Sequence, residues 1–140
     1  VFDFNSFVPY PEQFRELDRI AQQKAKEFDR KMDALNAADQ QAYRAAHWHE
    51  LPKDGFNQGG YEWCVIYWGT KWGACEPTCD DSTLDGPTPR LIYKFSTAWS
   101  PPEPVLQKAS ELFPDLIFRV RWHEEGGSKG GGVWRAGVPG

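Results

Sequence analysis

The sequence predicts an α+β fold, an antiparallel sheet with helices packed on one face. Three observations predict it. Residues 12–36 repeat their apolar positions at helical spacing, and residues 116–123 alternate apolar and polar at strand spacing. The elements also run helices, strand, strand, helix, strand rather than as a regular βα alternation. At 140 residues the chain has the length of one ordinary domain. It is read as a single domain over 1–140, with a helical segment at 12–50 and a glycine-rich tail at 126–140.

Residues 1–11 place Phe2, Phe4 and Phe7 ahead of two prolines, which suggests a short extended segment ending in a turn. From residue 12, Phe14, Leu17, Ala21, Ala25, Phe28, Met32 and Leu35 form one apolar stripe, with Arg15, Glu16, Arg19, Lys26 and Arg30 off it. Asn36, three residues before Asp39, reads as the cap of a second helix that runs to about His49, with Pro52 beyond it. Residues 61–68, YEWCVIYW, are β-branched and aromatic and read as a strand. Residues 69–89 are rich in Gly, Pro, Asp, Thr and Ser and read as a long loop.

A second strand is expected at 91–97. A short helix follows at 103–113, with Ser100 as its cap and Val105, Leu106, Ala109, Leu112 and Phe113 as its apolar face. The third strand, 116–123, directs Phe118, Val120 and Trp122 one way and Arg119, Arg121 and His123 the other. The tail is too glycine-rich for regular structure outside residues 133–135. A βαββαβ sandwich needs one more strand before the first helix. Either residues 2–7 supply it or it lies upstream of Val1.

The composition narrows the function. Aromatics make up 15% of the chain, which excludes a disordered acidic tail. No apolar run approaches the ~18 residues of a membrane span. The net charge is −4, and the two halves carry −3 and −1, so neither is a basic arm. Three cysteines, an odd number, with no signal peptide ahead of them suggest a reduced, cytoplasmic chain.

The motifs that carry chemistry are weak. Cys75 and Cys79 combined with His47 and His49 would make four zinc ligands, but histidines two apart do not share a helix face. Asp80, Asp81 and Asp85 lack the alternating ligand spacing of a calcium loop. Residues 126–132 have phosphate-loop composition without its Gly-Lys-Ser/Thr ending, and no helix follows. His49-Glu50 has no second histidine to complete a zinc-protease string. Glu124 and Glu125 beside His123 read as a charged strand end rather than an acid–base pair. No catalytic residue, metal site or cofactor is expected.

Three strings carry a family likeness in this order: FDFNSFVPYP at 2–11, YEWCVIYWGTKWGA at 61–74, and FSTAWSPPEPVLQKASELFPDLIFRVRWHEEG at 95–126. Together, roughly 55 of the 140 residues, they resemble the YubB-type ferredoxin-like domain family of plasmids, phages and other mobile elements. WGTKW followed by TAWSPP is the most specific part of the likeness. The resemblance implies a ferredoxin-like antiparallel sheet, with the helical pair as an insertion. The Asn-Trp-Cys string that the family usually carries upstream of FDFN is missing here, which matches the expectation of a missing or short first strand.

The family is one of unknown function, so the resemblance implies a fold and an origin rather than an activity. The leading expectation is a small non-catalytic interaction module, an adaptor or inhibitor with a protein partner from host or phage. Trp68, Thr70, Lys71, Trp72 and Trp99 would line its recognition groove, Lys71 being presented to an anion. A nucleic-acid-binding sheet built on Lys94, Arg119, Arg121 and His123 is the second expectation. An enzyme with a site near the WGTKW loop is the third.

Overall fold

A computed structural model of the chain describes residues 2–140 and divides it into two compact units, Tyr10–Tyr61 and a discontinuous unit that joins residues 2–9 to Glu62–Gly140. Among the described residues, four α-helices and two antiparallel sheets make the fold α+β. Among the described residues, no helix is long and apolar enough to cross a membrane.

The unit Tyr10–Tyr61 is a helical pair closed by a loop. Helix α1 spans Glu12–Asp33 and α2 spans Ala37–His47. The predicted stripe is the side that packs: Phe14 and Met32 are buried and the apolar positions between them half-buried. Asn36 caps α2 by accepting from the Asp39 N–H at 3.0 Å. Gln40 donates to the carbonyls of Met32 and Leu35, which lack helical partners at the end of α1. Asp18 holds the returning loop by accepting from the N–H groups of Gly55 and Phe56 at 2.7 and 3.1 Å.

The other unit begins with residues 2–9. This segment is not extended: it makes a 3-10 turn at Phe4–Ser6, capped by Asp3, whose side chain accepts from the Asn5 N–H. Its aromatics then find partners far along the chain. Phe2 stacks on Phe95 with ring centroids 4.8 Å apart, and Phe4, fully buried, meets Trp68 and Phe95 edge-on.

Residues 61–68 form a helix and not a strand: α3 spans Gly60–Tyr67. A short apolar run has no period that separates the two. The burial decides it, because Cys64 and Trp68 are buried while Glu62 and Ile66 are exposed. A strand with that buried face would bury all four. The stretch expected to be a loop contains a strand, β1 at Cys75–Thr83, paired antiparallel with β2 at Arg90–Ser96. Its Pro, Asp and Ser residues are depleted in strands and hid it. The ladder accommodates them with register shifts between Cys75 and Thr78 and between Cys79 and Asp81.

Helix α4, Glu103–Leu112, buries Val105, Leu106, Ala109 and Ser110, while Leu112 and Phe113 stay about half exposed. Its N-cap is Pro102; Ser100 points elsewhere, its hydroxyl donating to the carbonyl of Gly69. The tail is regular, contrary to expectation. Strand β4, Lys129–Arg135, pairs along its whole length with β3, Ile117–His123, and with the short β5, Val138–Pro139.

The glycines of β4 are a packing requirement. A Cβ on Gly130 would lie 2.5 Å from the Trp122 ring, and one on Gly132 would lie 2.7 Å from the Trp134 ring. Helix α4 lies against this sheet. Ser110 joins the two, donating to the Gln107 carbonyl and accepting from the Gly137 N–H at the β4–β5 turn at 2.9 Å.

Candidate functional site

The loop that leaves α3 is shaped by two buried residues. Trp68 is 5% exposed and donates its indole N–H to the Val8 carbonyl at 2.8 Å. Gly69 follows with φ +74°, and a Cβ there would meet the Pro104 ring at 2.7 Å. Thr70 is 1% exposed and donates its hydroxyl to the Trp72 carbonyl at 2.6 Å. Trp68 and Thr70 therefore support the loop from within and do not line an open groove.

The outer surface of this loop belongs to Lys71, Trp72 and Trp99. The Lys71 ammonium lies 5.1 Å from the centroid of the Trp72 ring and 4.7 Å from that of Trp99. One cation thus joins indoles from two loops, those after α3 and after β2. Both indoles face water, Trp72 at 45% and Trp99 at 71% exposure. Trp99 is also held at φ +73°, a left-handed conformation that costs a non-glycine residue about 1–2 kcal/mol. Thr97 braces this turn, its hydroxyl donating to the Ser100 carbonyl at 2.8 Å. Chemically the patch can pack flat apolar surface and attract a carboxylate.

The residues of the nucleic-acid expectation do not stay together. Arg119, Arg121 and His123 project from one face of β3. Lys94 belongs to the other sheet and pairs with Asp80 at 2.7 Å. The hydrogen bond from Lys94 holds the Asp80 carboxyl below its ordinary range, and Asp80 raises Lys94 in return. Two basic residues absent from that expectation join Arg119 and Arg121. Lys129 lies opposite His123, and Arg135 lies opposite Ile117, on the same face of the ladder. The glycine run that concealed β4 concealed them too. Their separation by an even number of residues, with Val133 between, was the available signal.

Several of the remaining chemical candidates have structural partners. Asp81 receives Arg90 at 2.8 Å. His47 lies over Tyr43 with centroids 4.3 Å apart and within 3.1 Å of Glu50. Cys75 and Cys79 are free thiols in contact with the carbonyls of Gly73 and Asp81. Glu124 lies in the β3–β4 turn, where its N–H donates to the Ser128 carbonyl. Among the described residues, no three His, Cys, Asp or Glu side chains gather as a metal-binding group.

No curated protein and no solved structure matches the chain. A family model described as a ferredoxin-like domain in Api92-like protein matches residues 68–137, half of the chain. That span runs from Trp68, just past α3, to the β4–β5 turn, and it contains the Lys71–Trp72–Trp99 patch and the basic ladder alike. The chain belongs to this family of ferredoxin-like domains.

Proposed function

We propose that the protein is a non-catalytic protein-interaction module, an adaptor or inhibitor, whose docking site is the surface of Lys71, Trp72 and Trp99. One observation carries this reading: two solvent-facing tryptophans from separate loops are held together by one ammonium, one of them in a strained backbone conformation. Strain of this kind concentrates at functional positions. Exposed tryptophans are the side chains that most often dominate the energy of a protein interface. The lysine adds attraction for an acidic residue on the partner's rim.

The likeness to YubB-type domains supports an origin on a phage or plasmid, and with it a cytoplasmic site of action on a host or phage protein. The test is affinity capture from host lysate with the intact chain, followed by measurement with the purified partner. Trp99→Ala and Trp72→Ala are expected to weaken binding at least tenfold, roughly the 2 kcal/mol or more of a central anchor. Lys71→Gln is expected to slow association and flatten its salt dependence. Capture that survives the double tryptophan variant, or no capture by a folded wild-type chain, overturns the reading.

A further inference from the structure

We propose that the outer face of the β3–β4 ladder binds the phosphodiester backbone of a single-stranded nucleic acid, through Arg119, Arg121, Lys129 and Arg135. The register puts eight residues on this face: Ile117 and Arg135, Arg119 and Val133, Arg121 and Gly131, and His123 and Lys129. Four are arginine or lysine and none is acidic. All four cations are exposed. Among the described residues, none of the four has a carboxylate at ion-pair distance, whereas Arg90 and Lys94 on the other sheet are each paired with an aspartate. In a chain of net charge −4, this is a local excess of the opposite sign. Like charges on adjacent sheet positions repel one another, and a polyanion laid across them relieves that repulsion.

The geometry favours a single strand. Alternate residues along β3 advance about 6.8 Å, so its donors recur at regular spacing along the strand and the patch extends about 20 Å. Helix α4 covers one face of the ladder, so the ladder does not project as a free ribbon into a duplex groove, whereas an extended chain can lie along the exposed face. Phe118, Trp122 and Trp134 lie on the opposite, helix-covered face, so no base stacks on an aromatic here. Ile117 and Val133 offer only small apolar contacts between the cations. The grip is therefore on phosphates, and it is tolerant of sequence and steep in salt.

The test is fluorescence anisotropy of the intact protein with a labelled, mixed-sequence single-stranded oligonucleotide of about 15 nucleotides. Four phosphate contacts on a single strand predict that affinity falls on the order of 50-fold between about 50 and 200 mM salt. Arg119→Gln with Arg121→Gln, and separately Lys129→Gln with Arg135→Gln, should each weaken binding more than tenfold and about halve the salt slope. These side chains are exposed, and an unchanged circular dichroism spectrum will show that each variant is folded. Lys94→Gln and Trp99→Ala should bind like wild type, which separates this surface from the tryptophan patch and keeps the two readings independently testable. No binding at about 50 mM salt, or full binding after all four substitutions, overturns the proposal. So does tighter binding to the matching duplex, or binding to phosphatidylserine vesicles with none to the oligonucleotide.

Discussion

At the scale of single residues, some charged groups of this chain engage one another and others stand exposed on the β3–β4 ladder. Asp80 and Lys94 belong to the first kind. The lysine's hydrogen bond lowers the carboxyl pKa, and a carboxylate lowered on folding contributes stability at pH above its unfolded value. That contribution is lost as pH falls through the folded value. Lys94, raised by the same bond, acts at the other end: its contribution holds below its unfolded value and fades as pH rises through the folded one. A carboxyl-carbon NMR titration should therefore place the Asp80 midpoint below that of an ordinary aspartate. In Lys94→Gln the midpoint should return upward. An unchanged midpoint would mean that the pair does not persist in solution. The exposed cations of β3 and β4 are the converse case: among the described residues, none of them forms an ion pair.

At the scale of elements, those with a strong periodic signal are the ones legible in the sequence. The stripe from Phe14 to Met32, the Asn36 cap, the strand at Arg90–Ser96 and the alternation at Ile117–His123 were legible because each repeats its pattern over seven residues or more, or uses a side chain with one evident job. α3 was not, since an eight-residue apolar run is ambiguous without knowing what it faces. β1 and β4 were hidden by residues that strands normally avoid, and in each case tertiary context overrode propensity. Lys71, Trp72 and Trp99 stood out as a cluster through the WGTKW and TAWS strings. Lys129 and Arg135 did not, because their face exists only if the glycine run is a strand. That dependence can be tested at Gly130, where the Trp122 ring fills the space of a side chain. Gly130→Ala should destabilise by about 1–3 kcal/mol despite alanine's lower backbone entropy. Gly126→Ala, in open space with no left-handed φ, should be neutral or slightly stabilising, by at most about 1 kcal/mol. Urea midpoints of the two variants give the comparison, and equal effects would argue against Trp122 lying over β4.

At the scale of the whole molecule, the unit that carries both proposed surfaces is built from two distant pieces of chain. Residues 2–9 and Glu62–Gly140 form it, with Tyr10–Tyr61 intervening in sequence. The short N-terminal piece contributes more than its length suggests. Phe4 is completely buried between Trp68 and Phe95, Phe2 stacks on Phe95 and lies 5.6 Å from Tyr93, and the Val8 carbonyl receives the Trp68 indole. Trp68 in turn starts the loop that presents Lys71 and Trp72, so the proposed docking surface depends on a segment some sixty residues earlier. Truncating Phe4 to alanine removes a fully buried ring and leaves a cavity, a change that costs about 3–5 kcal/mol. Phe2, half-buried at the rim, should cost distinctly less when truncated. Urea unfolding followed by tryptophan fluorescence measures both, since Trp68 lies in contact with Phe4. A Phe4→Ala loss below about 1 kcal/mol would mean that the N-terminal segment does not belong to this core. If the loss is large, binding by the Lys71–Trp72–Trp99 patch should weaken in Phe4→Ala even where most molecules remain folded, because the loop's anchor at Trp68 has been loosened.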